Sequence, residues 1–194
     1  MAPALKEWAV VVHALLEGEQ ILDVRKGGLR EDGRHFGVHA DRLWLYPTAE
    51  HQEAELVRPP YRHWLDLAPS SPVGGPIRMD GWADVERVAT ITEQEQLDAI
   101  ASKLIWTDDY AASRFNWKKR DPLWVLALRV HVLDESVIVP WRDEYGGCTS
   151  WVDLDGLPDD PASLPSQPAL SDVAFEARLK GAVDALPELH DPEN

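Results

Sequence analysis

The sequence predicts an α+β fold: a mixed, mostly antiparallel sheet, able to curl toward a barrel, with helices flanking it. Three observations predict it. Strand-like runs recur at 8–16, 20–26, 42–46, 82–91 and 123–133. Helical periodicity appears only between some of them, as at 93–104. The run at 8–26 reads as a hairpin, which points to antiparallel pairing.

Taken in chain order, residues 8–16 (WAVVVHALL) read as a strand, Glu17-Gly18 as a turn and 20–26 (QILDVRK) as its return, a central hairpin with two apolar faces. Gly27-Gly28 ends it, and the polar stretch to Asp41 reads as loop. A short strand at 42–46 meets Pro47, after which Thr48 can cap a helix over 48–57 that Pro59-Pro60 closes. The segment APSSPVGGP (68–76) is a surface connection, and 82–91 is a further strand. Thr92 and Glu95 form a T-x-x-E capping box, with Leu97, Ile100, Ala101 and Leu104 at helical spacing behind it. Thr107, followed by Asp108 and Asp109, starts a short helix over 108–114. LWVLALRVHVL (123–133) is the longest strand, apolar at every even position, with Arg129 and His131 on its odd face; 137–139 and 149–154 add two short strands. Residues 1–155 therefore read as one domain. Residues 156–194 read as an acidic, Pro-rich linker and a C-terminal helix capped by Ser171, with Phe175, Leu179, Ala182 and Leu186 on one stripe, either docked or loose.

Composition bounds the function. The 194 residues carry a formal net charge of −15, which disfavours wholesale attraction to nucleic acid or anionic membrane. The charge is uneven. From Asp153 onward ten acids face only Arg178 and Lys180, an acidic region suited to a protein partner, whereas Arg114 to Arg120 (RFNWKKR) holds four cations and no acid. One cysteine, Cys148, forms no intramolecular disulfide, and the first residues lack a secretory pattern and a spanning segment, so a cytoplasmic protein with no membrane association is expected.

Six residues stand out as ligand-binding candidates. His51 and Gln52, with Glu50, crowd the first turn of the expected helix at 48–57, where unpaired backbone N–H groups favour an anion; the same acid is also an ordinary first-turn residue. Lys26 precedes Gly27-Gly28, which lets backbone approach a ligand while an ammonium reaches it, although the Walker order is absent. Arg114 and Trp117 combine a cation with a ring, the two ingredients of base stacking, in what is also a common kind of solvated surface. Arg129, in an apolar strand, needs an acid or an anionic ligand; Asp23 is the expected internal partner. Weaker patterns include a metal set among His35, His39, His51 and Glu55, a Cys148 nucleophile beside His131, and an imperfect nuclease motif at 23–26 (DVRK). No cofactor is indicated.

KEWA (6–9), RKGG (25–28), YPTAEHQ (46–52), IWT (105–107) and GCTSWV (147–152) together resemble a bacterial domain-of-unknown-function family, DUF1802. The resemblance ends at Leu154. It implies an association with restriction–modification systems, and hence a module touching DNA or modified bases. The later half also resembles in outline small PUA-like barrels that seat a nucleobase. The expectation is a binding module for nucleic acid or a nucleotide, in which Lys26, His51, Gln52, Arg114, Trp117 and Arg129 share a pocket. A metal-dependent phosphoesterase or nuclease and a protein-interaction factor are the alternatives.

Overall fold

The computed structural model describes residues 2–26, 41–49, 53–68, 74–116, 122–147 and 149–192. Its centre is one mixed sheet of seven strands: β1 (Ala2–Trp8), β2 (Leu22–Lys26), β3 (Arg42–Thr48), β4 (Ile77–Ile91), β5 (Leu123–Val139), β6 (Trp151–Leu154) and β7 (Ser166–Pro168). The order is β2-β5-β4-β3-β1-β6, with β7 on the far part of β5. Every pairing is antiparallel except β1 with β3. The sheet does not close into a barrel. The long antiparallel β4–β5 pair carries register shifts at Met79/Gly81 and Val85/Arg87, irregularities of the kind that bend and twist a strand. A side chain is barred at Gly81, where a Cβ would fall 2.5 Å from the His131 carbonyl oxygen.

The expected hairpin at 8–26 is corrected. β1 runs directly into helix α1 (Ala9–Leu16), and β2 pairs with β5 instead of with the segment before it. Ala9, Val10, Val11, Val12, Ala14 and Leu15 are all buried, and a helix buried on nearly every side shows no 3.6-residue period. Gly18 ends it at φ 67° and donates its N–H to the Leu15 carbonyl; a Cβ there would strike Leu170 at 2.7 Å.

The helix expected over 48–57 is also corrected at its start. Pro47 and Thr48 remain in β3 opposite Glu7 and Trp8, and a 3-10 turn follows at Ala54–Leu56. Beyond Trp44 the strand has β1 as its partner among the described residues, so a proline without an N–H is tolerated there.

Short α2 (Trp64–Leu67) precedes β4. Helices α3 (Gln94–Ala101), α4 (Asp108–Asn116) and α5 (Asp172–Ala185) stand where their caps place them. The α3 capping box is Glu93 with Gln96, one residue later than expected. Thr107 Oγ1 accepts the Tyr110 N–H at the start of α4, and Ser171 accepts from Ala174 at the start of α5.

The acidic tail is docked. Phe175, Leu179, Ala182 and Leu186 join the main core, which also takes in α1, α3 and the inner face of β5, while β7 pairs with β5. A second core gathers Trp44, Tyr46, Trp82, Tyr145 and Leu154. Among the described residues, no helix is long and apolar enough to cross a membrane.

Candidate functional site

The pairing of β6 with β1 stops at Leu5, and among the described residues β2 has β5 alone as its ladder partner. Arg25 bridges the gap between β1 and β2. Its Nη2 donates to the Lys6 carbonyl at 2.7 Å, and its Nη1 donates to Glu7 Oε2 at 2.9 Å and Asp23 Oδ2 at 3.2 Å. Asp23 and Arg25 are two apart on a strand and so share a face. Glu7, Asp23 and Arg25 are 6%, 1% and 6% exposed, so three charges are buried together. Arg25 Nε, also buried, has no hydrogen-bond partner among the described residues.

Burying a carboxylate favours its neutral form, and this is the largest influence on Glu7. Arg25 opposes it, Asp23 reinforces it, and Arg114 and the Trp8 N–H, which Glu7 Oε1 accepts at 2.6 Å, oppose it; the net result is a pKa raised from 4.5 to about 7. For Arg25, burial works against the charge, but Asp23 and Glu7 outweigh it and raise its pKa, so the guanidinium stays protonated.

An aromatic wall adjoins the charges. Trp8 stacks on Tyr110 with centroids 5.2 Å apart and meets Trp106 edge-on at 4.6 Å. One helical turn beyond Tyr110 on α4, Arg114 donates from Nη1 to the Tyr110 hydroxyl oxygen at 3.2 Å, with its guanidinium carbon 5.7 Å from the ring centroid. Burial is the main cause of a raised Tyr110 pKa, so the phenol stays neutral. The cluster thus offers an acid that changes protonation near neutrality, a part-buried guanidinium and a rigid ring. Such a set can bind a planar polar group and an anion together.

Of the six candidates, Arg114 lies in this cluster. Lys26 ends β2 opposite Leu123, next to Arg25, and its side chain is outside the described residues, as are His51, Gln52 and Trp117. His35, His39 and Cys148 lie outside them as well.

Arg129 is elsewhere, facing α5. Its Nε bonds Glu86 at 2.8 Å, Nη1 bonds Asp172 at 3.0 Å and Nη2 bonds Glu176 at 2.7 Å, and the guanidinium lies 4.0 Å from the Phe175 ring centroid. The expected Asp23 partnership is corrected: Asp23 sits opposite Leu126 on β5, and β2 begins opposite Ala127, short of Arg129.

Sequence reasoning placed Arg25 only within the imperfect nuclease motif and did not pair it with Glu7, because that partnership is long-range. The available signal was an acid and a base two apart, Asp23 and Arg25, on either side of Val24 in β2. Among the described residues, no group of three or more His, Cys, Asp or Glu could hold a metal ion.

The family described as "Domain of unknown function (DUF1802)" matches residues 4–181. The match runs well past Leu154, where the resemblance in the sequence ended, and takes in β7 and most of α5. No curated protein matches. Two solved structures are similar in outline: the crystal structure of ASCH from Zymomonas mobilis and that of a serine-to-alanine mutant of the same protein. Both are 14% identical and cover 66% of this chain; 66% and 67% of their own chains are covered, with TM-scores of 0.40 and 0.39. The chain thus spans just under two thirds of the first of these. This likeness carries nothing about a ligand.

Proposed function

The chain belongs to the DUF1802 family, whose description assigns no activity, and from its own residues we propose that it is a binding module for a nucleotide, free or within a nucleic-acid strand, recognised at the β1–β2 seam. The observation that carries this reading is the buried Glu7–Arg25–Asp23 cluster beside Arg114 and Tyr110. Burying an ion pair seldom repays its desolvation cost against an apolar replacement, so stability alone is a poor reason for three charges here. A carboxyl with a pKa of about 7 can donate or accept at a base edge, and strongly shifted groups concentrate at functional sites. Arg114 suits the phosphate, and the Tyr110 ring suits the planar base.

Lys26, His51, Gln52 and Trp117 are proposed contributors on sequence grounds. Arg129 is left out, because three carboxylates occupy its guanidinium. The net charge of −15 favours one nucleotide over a long duplex footprint, so affinity should fall only gently with salt. A cytoplasmic role beside restriction–modification enzymes fits this chemistry and belongs to the same proposal.

The test is a titration of nucleoside 5′-monophosphates and short single-stranded DNA, at two salt concentrations, followed by tryptophan fluorescence. Saturable quenching is expected, with affinity about tenfold weaker in Arg114→Ala from loss of a charged contact. A folded wild-type protein that binds none of these ligands, or an Arg114→Ala variant with unchanged affinity, defeats the reading.

A further inference from the structure

A cleft of ≈ 420 Å³ lies at the other end of β2, between the segment that leads into that strand, the end of α3 and the middle of α5. Ile21 and Leu104, over fully buried Leu22, give it an apolar floor, while Lys103 and Arg178 stand on its walls. Its base is braced. Gln20 is 2% exposed; its Nε2 donates to the Leu22 carbonyl at 2.8 Å and its Oε1 accepts the Ile105 N–H at 3.0 Å, which fixes two walls of the cleft to one another.

The charges do not cancel. Arg42, Arg58, Arg78, Arg87, Arg129 and Arg142 each reach a carboxylate within 4.0 Å. Lys103 is only part-exposed, yet its ammonium has no ion pair or hydrogen bond among the described residues, in a chain with 34 acids against 19 Lys and Arg. The acid in the lining, Glu19, is engaged by the Tyr61 hydroxyl at 2.5 Å and lies 4.0 Å from Arg178 Nη2. Arg178 also donates from Nη1 to the Glu19 carbonyl, which leaves further guanidinium N–H groups unused. Two cations against one acid leave a single positive charge.

Gly181 adds an independent mark. It lies inside α5, where glycine costs about 0.5–1 kcal/mol relative to alanine. A Cβ there would meet only Lys103 Nζ, at an ordinary 3.5 Å, so neighbouring packing does not require glycine. The missing side chain keeps the space beside Lys103 open.

We propose that this cleft binds a small organic carboxylate with an apolar body, its charge between Lys103 and Arg178 and its body on Ile21 and Leu104, above Leu22. One net positive charge and an apolar floor match a monoanion of this kind better than a doubly charged phosphate.

Hexanoate and its neutral analogue hexanamide serve as probes, followed by the methyl NMR signals of Ile21, Leu22 and Leu104. Hexanoate should shift these signals saturably, with hexanamide and the Lys103→Gln variant each about tenfold weaker. Gly181→Leu fills the cleft with a good helix former. It should abolish the shifts while leaving the unfolding temperature of the free protein unchanged or higher. Three results overturn the proposal: methyl signals unmoved by about 10 mM hexanoate, equal binding of acid and amide, or wild-type affinity in folded Gly181→Leu.

Discussion

Replacing Glu7 by glutamine tests the buried cluster most directly. Gln keeps the shape and the acceptor for the Trp8 N–H and resembles the protonated acid, while Asp23 remains to neutralise Arg25. The Glu7 carboxyl has its pKa raised from 4.5 to about 7, so between these pH values the folded chain holds a proton that the unfolded chain has released. The folded state then binds more protons, and stability falls as pH rises through the window, levelling off above about 7. At 1.36 kcal/mol per pKa unit the loss is about 3 kcal/mol. Glu7→Gln should match wild type near the acidic end and exceed it by about 3 kcal/mol at about pH 8, which for a chain of this length is about 6–12 °C in unfolding temperature. Urea denaturation of both proteins from about pH 5 to about pH 8 reads the difference directly, since carboxylates common to both cancel. Parallel curves, with a gap that does not change with pH, would show that Glu7 ionises as it does in water, and the desolvation argument would fall.

Two further outcomes are expected. Arg129→Met keeps an apolar stem on Phe175 but leaves Glu86, Asp172 and Glu176 unpaired; because the two α5 acids are mostly exposed, the cost should be only about 1–2 kcal/mol. Hydrogen exchange should speed up in α5 and not in α3, and unchanged α5 protection would mean that the arginine does not clamp the helix. Gln20→Leu strands the Ile105 N–H and the Leu22 carbonyl in the interior, at about 2–4 kcal/mol by chemical denaturation. A loss under about 1 kcal/mol would show that both groups find other partners.

The readable parts of this fold were those with a local physical signature. The helices α3, α4 and α5 announce themselves through side chains that cap their own backbone, and β5 through a long apolar run that is buried on both faces from Val125 to Leu128. The segment 9–16 carries no such signature: three consecutive valines favour a strand by propensity, and burial on nearly all sides erases the helical stripe, so only tertiary packing decides. Thr48 looked like a cap because its partner Trp8 lies 40 positions away in a parallel pairing. The site was half legible for the same reason. Arg114 and Lys26 could be flagged as cations near rings and glycines, and Arg129 could be said to need an acid. That its acids would be Glu86, Asp172 and Glu176, and that Glu7 would meet Arg25, depended on strand register and on the docking of α5.

A perimeter whose described hydrogen bonds come from a side chain, here Arg25, behaves differently from one laced by successive main-chain bonds. Release of Arg25 from Lys6 and Glu7 leaves β2 on β5 and β1 on β3, so no strand unravels when the fastening gives way. Breathing at that point costs a handful of contacts instead of global unfolding, and exchange of the neighbouring amides should report it as a local event.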